Sequence, residues 1–268
     1  MSDKHTKILR IYNQKLKYFN YSKNTIEIYS HYTDKFLSKV NKYTDHITGA
    51  DFQTYLNDFD FTSISQQNQV ISAIKFFYDK VLQRKYGKVD FKRPRKIKQL
   101  PKVIDKNHLK SSILSISNLK HKVILALAYS VGLRVSEVIN LKIKDIDSDR
   151  MMILIKSAKG NKDRYVPLSP DILVMMRRYY TAYKPITYLF NGQKGGKYSA
   201  TSCNQLVKKY IGKQYHFHQL RHSAFTSLIE SGVDTRIIQQ LAGHSSIKTT
   251  EIYTHISNHI LTNLPLAI

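Results

Sequence analysis

Apolar positions recur at helical spacing through the first 90 or so residues. Ile26, Tyr29, Tyr32, Phe36 and Leu37 form one stripe after the polar start at Ser22, and Val70, Ala73, Ile74, Phe77 and Val81 form another within residues 65–82. Thr48 followed three residues later by Asp51 marks a further helix start, because a threonine and an acid at that spacing can each accept an orphan N–H. The pattern predicts a small bundle, most simply of four helices. It breaks at residues 92–102, KRPRKIKQLPK, which hold six basic residues, two prolines and no acid and read as an extended linker. From Val103 onward the pattern predicts a helix over 118–129 ending at Gly132 and a short helix over 135–141. A strand over 151–156 pairs with one over 164–168 across an AKGNKD turn, and Tyr188–Phe190 adds a further short strand. Helices are expected over 170–183, 202–211, 218–231, 234–241 and 248–254. The expectation is a mainly α chain: a four-helix domain over 1–91, a basic linker over 92–102, and an α+β domain over 103–268 with a small antiparallel sheet.

Charge changes this picture. The chain carries 43 Lys and Arg against 19 Asp and Glu, a formal net charge of +24, which points to a polyanionic partner held through phosphate neutralisation. The excess is uneven, since residues 1–91 hold 14 basic and 9 acidic side chains. A basic linker between two domains is placed to cross a DNA backbone, so Lys92, Arg93, Arg95, Lys96 and Lys98 are expected DNA contacts. No apolar run approaches the roughly 18 residues of a membrane span, and no apolar signal segment follows MSDKHTKILR, so a cytoplasmic protein with no membrane partner is expected. Cys203 is the sole cysteine, which excludes an intrachain disulfide and a thiolate zinc cluster. With 19 tyrosines in the chain, only position can single one out.

Nucleophilic cleavage of a phosphodiester needs a nucleophile, cationic donors for the phosphorane, a proton donor for the leaving oxygen, and a group that deprotonates or orients the nucleophile. The second domain supplies a candidate for each. Arg134 follows Gly132 in GLRVSE, where a left-handed glycine would end the preceding helix and leave Arg134 at a turn, with Glu137 three residues on to hold its guanidinium. His218, Arg221 and His222 share one helix face in HQLRH. Two histidines at that spacing suit a metal, but the glutamate of an HExxH site is missing and an arginine sits among them, so an anion fits better. Lys159 lies in a hairpin turn, where a lysine can reach a leaving oxygen. Lys162 and Arg164 are rivals for that role, and the pattern does not choose among them. His244 follows Gly243 at a helix end, and Tyr253 lies in the short helix beyond.

These residues together resemble the tyrosine recombinases of the phage integrase family, most closely the compact Xer-like and integron-like integrases. The likeness is weak over residues 1–91 and strong from Gly132. The first arginine of the family falls on Arg134 in GLRVSE, its hairpin lysine on Lys159 in AKGNKDRYVPL, its His-x-x-Arg pair on His218 and Arg221 in HQLRH, its later histidine on His244 in AGHSS, and its nucleophile on Tyr253 in EIYTH. Small departures occur: Ser157 and Ala158 where a glycine is common, Ala242 where leucine is frequent, and QYHF before the His-x-x-Arg pair, which leaves His216 as a packing or DNA-contact residue. The resemblance implies a core-binding, SAM-like helical domain followed by the α+β catalytic domain. It also implies a site-specific recombinase that cuts and rejoins strands through a 3′-phosphotyrosyl link, with neither metal nor other cofactor. Lys162 and Arg164 then become expected DNA contacts. The implied partners are double-stranded DNA with paired inverted-repeat core sites and a homotetramer in the synaptic complex built from monomers in solution. The apolar tail 256–268 is expected to dock on a neighbouring protomer. A type IB topoisomerase-like relaxing enzyme and a non-catalytic DNA-binding regulator are the alternatives.

Overall fold

The computed structural model describes residues 2–87, 89, 93–94, 102–158, 162–193 and 195–243, and the chain divides into two compact units, residues 1–98 and 99–268. In the first unit the described helices are α1 (Ser2–Tyr18), α2 (Lys23–Val40), α3 (Gly49–Asn57) and α4 (Ile64–Phe76), the last running on as a π-helical segment over Phe77–Leu82. Side-chain caps set where they start. Ser22 Oγ accepts the Thr25 N–H at 3.2 Å, Ser63 Oγ accepts that of Gln66 at 3.1 Å, and the Asp51 carboxylate accepts from the Thr48 N–H at 2.8 Å. The predicted stripes turn inward onto a core of rings: Phe36 packs edge-on against Tyr55 at 5.1 Å between centroids and against Phe52 and Phe77 at 6.3 Å. Tyr12 closes the core from α1 and donates its hydroxyl to the Ala73 carbonyl at 3.0 Å.

The second unit is organised around α6 (Leu119–Ser130). Every residue from Val123 to Ala128 is buried, so this helix is apolar on all sides and forms the centre of the unit. α5 (Lys106–Leu114), α8 (Pro170–Tyr183), α9 (Ala200–Tyr210) and α10 (Phe217–Glu230) pack around it. α7 (Val135–Asn140) and α11 (Thr235–Ala242) complete the described helices. The three-stranded antiparallel sheet has the order β1 (Ile146–Asp147), β2 (Met152–Ala158), β3 (Lys162–Pro167). Facing residues of β2 and β3 include Ile153 with Val166, Leu154 with Tyr165, Ile155 with Arg164 and Ala158 with Lys162, with an irregularity between Ile155 and Ala158. Because residues alternate across a strand, Ile153, Ile155, Arg164 and Val166 share the inner face, while Tyr165 on the other face is 55 % exposed.

The expected fold class holds: a helical N-terminal unit and a mainly helical second unit carrying a small antiparallel sheet. Two elements differ in detail. The extra strand expected at Tyr188–Phe190 is an isolated bridge from Tyr188 to Lys142, and the third strand is β1. Helix α5, capped where Asp105 accepts the His108 N–H at 2.7 Å, was not anticipated. The helix expected over 248–254 lies outside the described residues. Among the described residues no helix is long and apolar enough to cross a membrane.

Candidate active site

The site starts where α6 stops. Gly132 takes a left-handed φ of +65°, and a Cβ in its place would lie 2.6 Å from the Phe225 ring, so both backbone and packing require glycine. The turn it makes delivers Arg134 to the start of α7. Glu137 accepts the Arg134 backbone N–H at 2.9 Å and its Nη1 at 2.8 Å, which is the support the three-residue spacing suggests. The Arg134 side chain keeps 19 % of its surface exposed, and among the described residues its Nε and Nη2 hydrogens have no protein partner. A fork of donors is thus held at one corner and open at the other.

Arg221 comes from α10 and is 1 % exposed. Its Nη1 donates to the Gly132 carbonyl and its Nη2 to the Ala242 carbonyl, both at 2.6 Å, and its guanidinium lies 4.6 Å above the centre of the Phe225 ring. The Ala242 carbonyl belongs to the last turn of α11, where the partial negative charge of the helix end favours a cation. Phe225 therefore packs under Arg221 and against Gly132, joining the turn that carries Arg134 to the helix that carries Arg221.

His218 and His222, one turn apart on α10, meet edge to face at 4.6 Å between ring centres. Partial desolvation, Arg221 and Arg134 together lower the His218 pKa below the ordinary histidine value, although the residue still reaches solvent. Burial, His218 and Arg221 push His222 down to about 4. Both imidazoles are neutral at pH 7 as a result, so each has a ring nitrogen able to accept a proton. Desolvation alone would raise the pKa of Glu137, but bonds to Arg164 and Arg134 outweigh it and hold the carboxylate ionised.

Arg164 lies elsewhere than its expected DNA-facing position. Its side chain is 10 % exposed and turns inward, where Nη1 and Nη2 donate to the two oxygens of Glu137 at 2.9 Å each and Nε donates to the Leu241 carbonyl at 2.8 Å. The reason is strand parity: two residues before the fully buried Val166, Arg164 must leave β3 on the core face. Arg93, expected at the DNA backbone, is exposed and donates from Nη2 to Ser72 Oγ at 3.1 Å. His216 is the N-cap of α10, its N–H donating to Gln219 Oε1 at 2.6 Å. Lys159, His244, Tyr253, Lys92, Arg95, Lys96 and Lys98 lie outside the described residues, as does the side chain of Lys162. Gly243, immediately before His244, caps α11 at a left-handed φ of +60°. Among the described residues no group of three or more His, Cys, Asp or Glu is arranged to hold a metal ion.

An open arginine fork, a buried second arginine and two neutral histidines gathered at one turn are equipment for phosphate chemistry. Residues 94–259 match the phage integrase family and residues 8–88 match the N-terminal SAM-like domain of phage integrases. The chain belongs to the phage integrase family. It is a site-specific tyrosine recombinase, a DNA-binding enzyme of recombination and integration. It is 37 % identical to tyrosine recombinase XerA of Pyrococcus horikoshii over 248 residues, covering 88 % of this chain and 84 % of that one. Tyrosine recombinase XerD of Staphylococcus saprophyticus is 30 % identical, over 88 % and 89 % of the two chains. Among solved structures, a crystal structure of XerA recombinase aligns over 98 % of this chain and 99 % of its own with 29 % identity and a TM-score of 0.56. XerH recombinase in a pre-cleavage complex with its difH substrate shares the fold at a TM-score of 0.70 and 22 % identity, over 88 % and 77 % of the chains.

Proposed function

We propose that Tyr253 is the nucleophile. Its phenolic oxygen attacks the scissile phosphorus, the P–O5′ bond breaks, and a 3′-phosphotyrosyl link and a free 5′ hydroxyl result. Arg134 and Arg221 hold the non-bridging oxygens and balance the charge that builds on the phosphorane. His218 takes the tyrosine proton, Lys159 gives a proton to the leaving 5′ oxygen, and His244 hydrogen-bonds the phosphate. Attack by a 5′ hydroxyl of the second duplex reverses the step and rejoins the strands, with the bond energy conserved in the covalent link. The arginines do the electrostatic work, so the scheme calls on no metal or cofactor.

The observation that carries this reading is the pairing of Arg134, whose Nε and Nη2 have no partner among the described residues, with His218, kept neutral by desolvation and by the two arginines. A neutral imidazole can receive a proton, and the two fixed positive charges beside it favour a phenolate over a phenol in the same pocket.

The assembly belongs to the same proposal. The helical domain over 1–91 and the catalytic domain over 103–268 grip double-stranded DNA at paired inverted-repeat core sites, and the linker over 92–102 crosses the backbone with Lys92, Arg93, Arg95, Lys96 and Lys98. Lys162 adds a contact from the hairpin. Four copies form the synaptic complex from monomers, and the apolar tail 256–268 docks on a neighbouring catalytic domain. The test of the chemistry is a nicked duplex carrying the recognition site, incubated with the protein and resolved on a denaturing gel. Wild type forms a covalent adduct. Tyr253→Phe forms none while binding the duplex as tightly, and an adduct with the phenylalanine variant removes Tyr253 from its role.

A further inference from the structure

Arg164 is held more tightly than any DNA contact needs to be. Each of its three guanidinium nitrogens donates into the protein, two to Glu137 and one to Leu241. Gly243 approaches so closely that a Cβ there would lie 3.2 Å from Nη1. A bidentate guanidinium of this kind cannot turn to a phosphate without stripping a buried carboxylate of a partner. Glu137 lies between two arginines, and the trio carries one net positive charge.

We propose that Arg164 is a positioning residue of the recombinase site, acting through two contacts. By engaging both oxygens of Glu137, it limits the hold of that carboxylate on the Arg134 side chain to the single Nη1 bond and so keeps the rest of the fork open to phosphate. Through Nε it fixes the last turn of α11, from which the chain continues past Gly243 to His244. Arg221 holds the neighbouring carbonyl of the same turn, so two arginines from different elements set where the segment after α11 begins. The inference rests on the reading of Arg134 and His244 given above. If Arg164 is removed, Glu137 retains Arg134 as its guanidinium partner. A buried carboxylate favours two-bond pairing with a guanidinium, which would occupy donors the phosphate requires.

The test uses the full chain with Arg164→Gln, Arg164→Lys and the double variant Arg164→Gln with Glu137→Gln. Three quantities are measured: DNA affinity across a salt series, single-turnover cleavage of the nicked duplex at saturating DNA, and thermal midpoint. Arg164→Gln is expected to leave affinity within about threefold and the salt dependence unchanged, since no phosphate contact is lost. Its cleavage rate at saturation is expected to fall about 100-fold, the scale of a misplaced reacting group. Arg164→Lys recovers part of that rate, because a single ammonium can engage one carboxylate oxygen but cannot reproduce the fork. Adding Glu137→Gln raises the rate above that of Arg164→Gln alone, because the neutral amide no longer captures Arg134. A purely structural role predicts instead that any recovery of rate follows a recovery of the thermal midpoint and is absent when both variants are fully folded.

The proposal is overturned if Arg164→Gln weakens binding tenfold or more and lowers the salt slope by about one while the saturated rate is unchanged, the signature of a phosphate contact. It is equally overturned if the folded double variant cleaves no faster than Arg164→Gln. A wild-type chain that forms no Tyr253-dependent adduct overturns the site reading, and this inference with it; normal wild-type adduct with either failure above sinks the inference alone.

Discussion

The two units bury different things. Among the described residues of the helical unit, the buried side chains are aliphatic groups and aromatic rings, with Thr33 the one buried residue outside that class. The catalytic unit buries Glu137, Asp145 and Arg221 alongside its apolar core. A ring core needs volume and shape and tolerates exchange of similar side chains, whereas a buried charge costs several kcal/mol unless its partners are in place. Asp145 is paired with Lys156 outside the candidate site, whereas Glu137 is paired with Arg134 and Arg164 within it. In one unit stability and function can be separated. In the other they share atoms.

The strongest way to sharpen this contrast is Arg221→Ala. It removes the proposed phosphate donor and takes the Arg221 hydrogen bonds from the Gly132 and Ala242 carbonyls at once. Cleavage is expected to fall by about 10³-fold or more, and the catalytic unit to lose about 3–5 kcal/mol. Arg134→Ala should split the two effects. Its rate falls by about 10²–10³-fold, yet stability changes by about 1 kcal/mol or less, because the side chain reaches solvent and Glu137 keeps Arg164. Single-turnover cleavage alongside denaturant unfolding reads both quantities. Phe36→Ala is the counterpart in the helical unit, expected to cost about 3–5 kcal/mol there while cleavage at saturating DNA stays near wild type. A rate loss comparable to that of Arg221→Ala would break the distinction between the units. Gly132→Ala is smaller, about 1–3 kcal/mol from the left-handed φ and the Phe225 clash, with a measurable loss of rate as the turn beneath Arg134 shifts.

The same contrast explains what could be read from the sequence. The stripes through Phe36 and Ile74 predicted their helices because a ring core imposes periodicity and little else. The Thr48–Asp51 pair did the same for the start of α3. α5 leaves little periodic signal, since it offers only Leu109 and Ile113 as fully inward positions behind its Asp105 cap. At the site, GLRVSE foretold the turn at Gly132 and the Arg134–Glu137 pair, since both are local in sequence. Arg164, expected as a DNA contact, has its inward turn hidden in the sequence because its partners Glu137 and Leu241 are distant along the chain. Its parity with Val166 was the available signal, for alternation along β3 outranks the habit of placing arginines outside. For the Arg221–Phe225–Gly132 stack, the four-residue spacing of Arg221 and Phe225 on one helix was the available signal, whereas the approach of Gly132 is distant along the chain.

Acid supplies the last and mildest way to separate the units. The pKa of His222 in the folded chain is about 4, against about 6.5 for an unperturbed histidine. Between those values the unfolded chain binds the extra proton and the folded chain does not, so stability falls as pH drops through the window. His218 shifts in the same direction and adds to the loss. The His222 contribution approaches about 3 kcal/mol at and below pH 4, and is about 0.8 kcal/mol near pH 6. The tyrosines buried in the helical unit have their pKa values raised and stay neutral throughout this range, so they add no acid dependence there. Thermal midpoints measured from pH 7 to pH 4.5 should therefore fall less steeply for His222→Gln than for wild type. Identical slopes would mean that the imidazole keeps its ordinary affinity for protons and that the electrostatic coupling among His222, His218 and Arg221 is too weak to register.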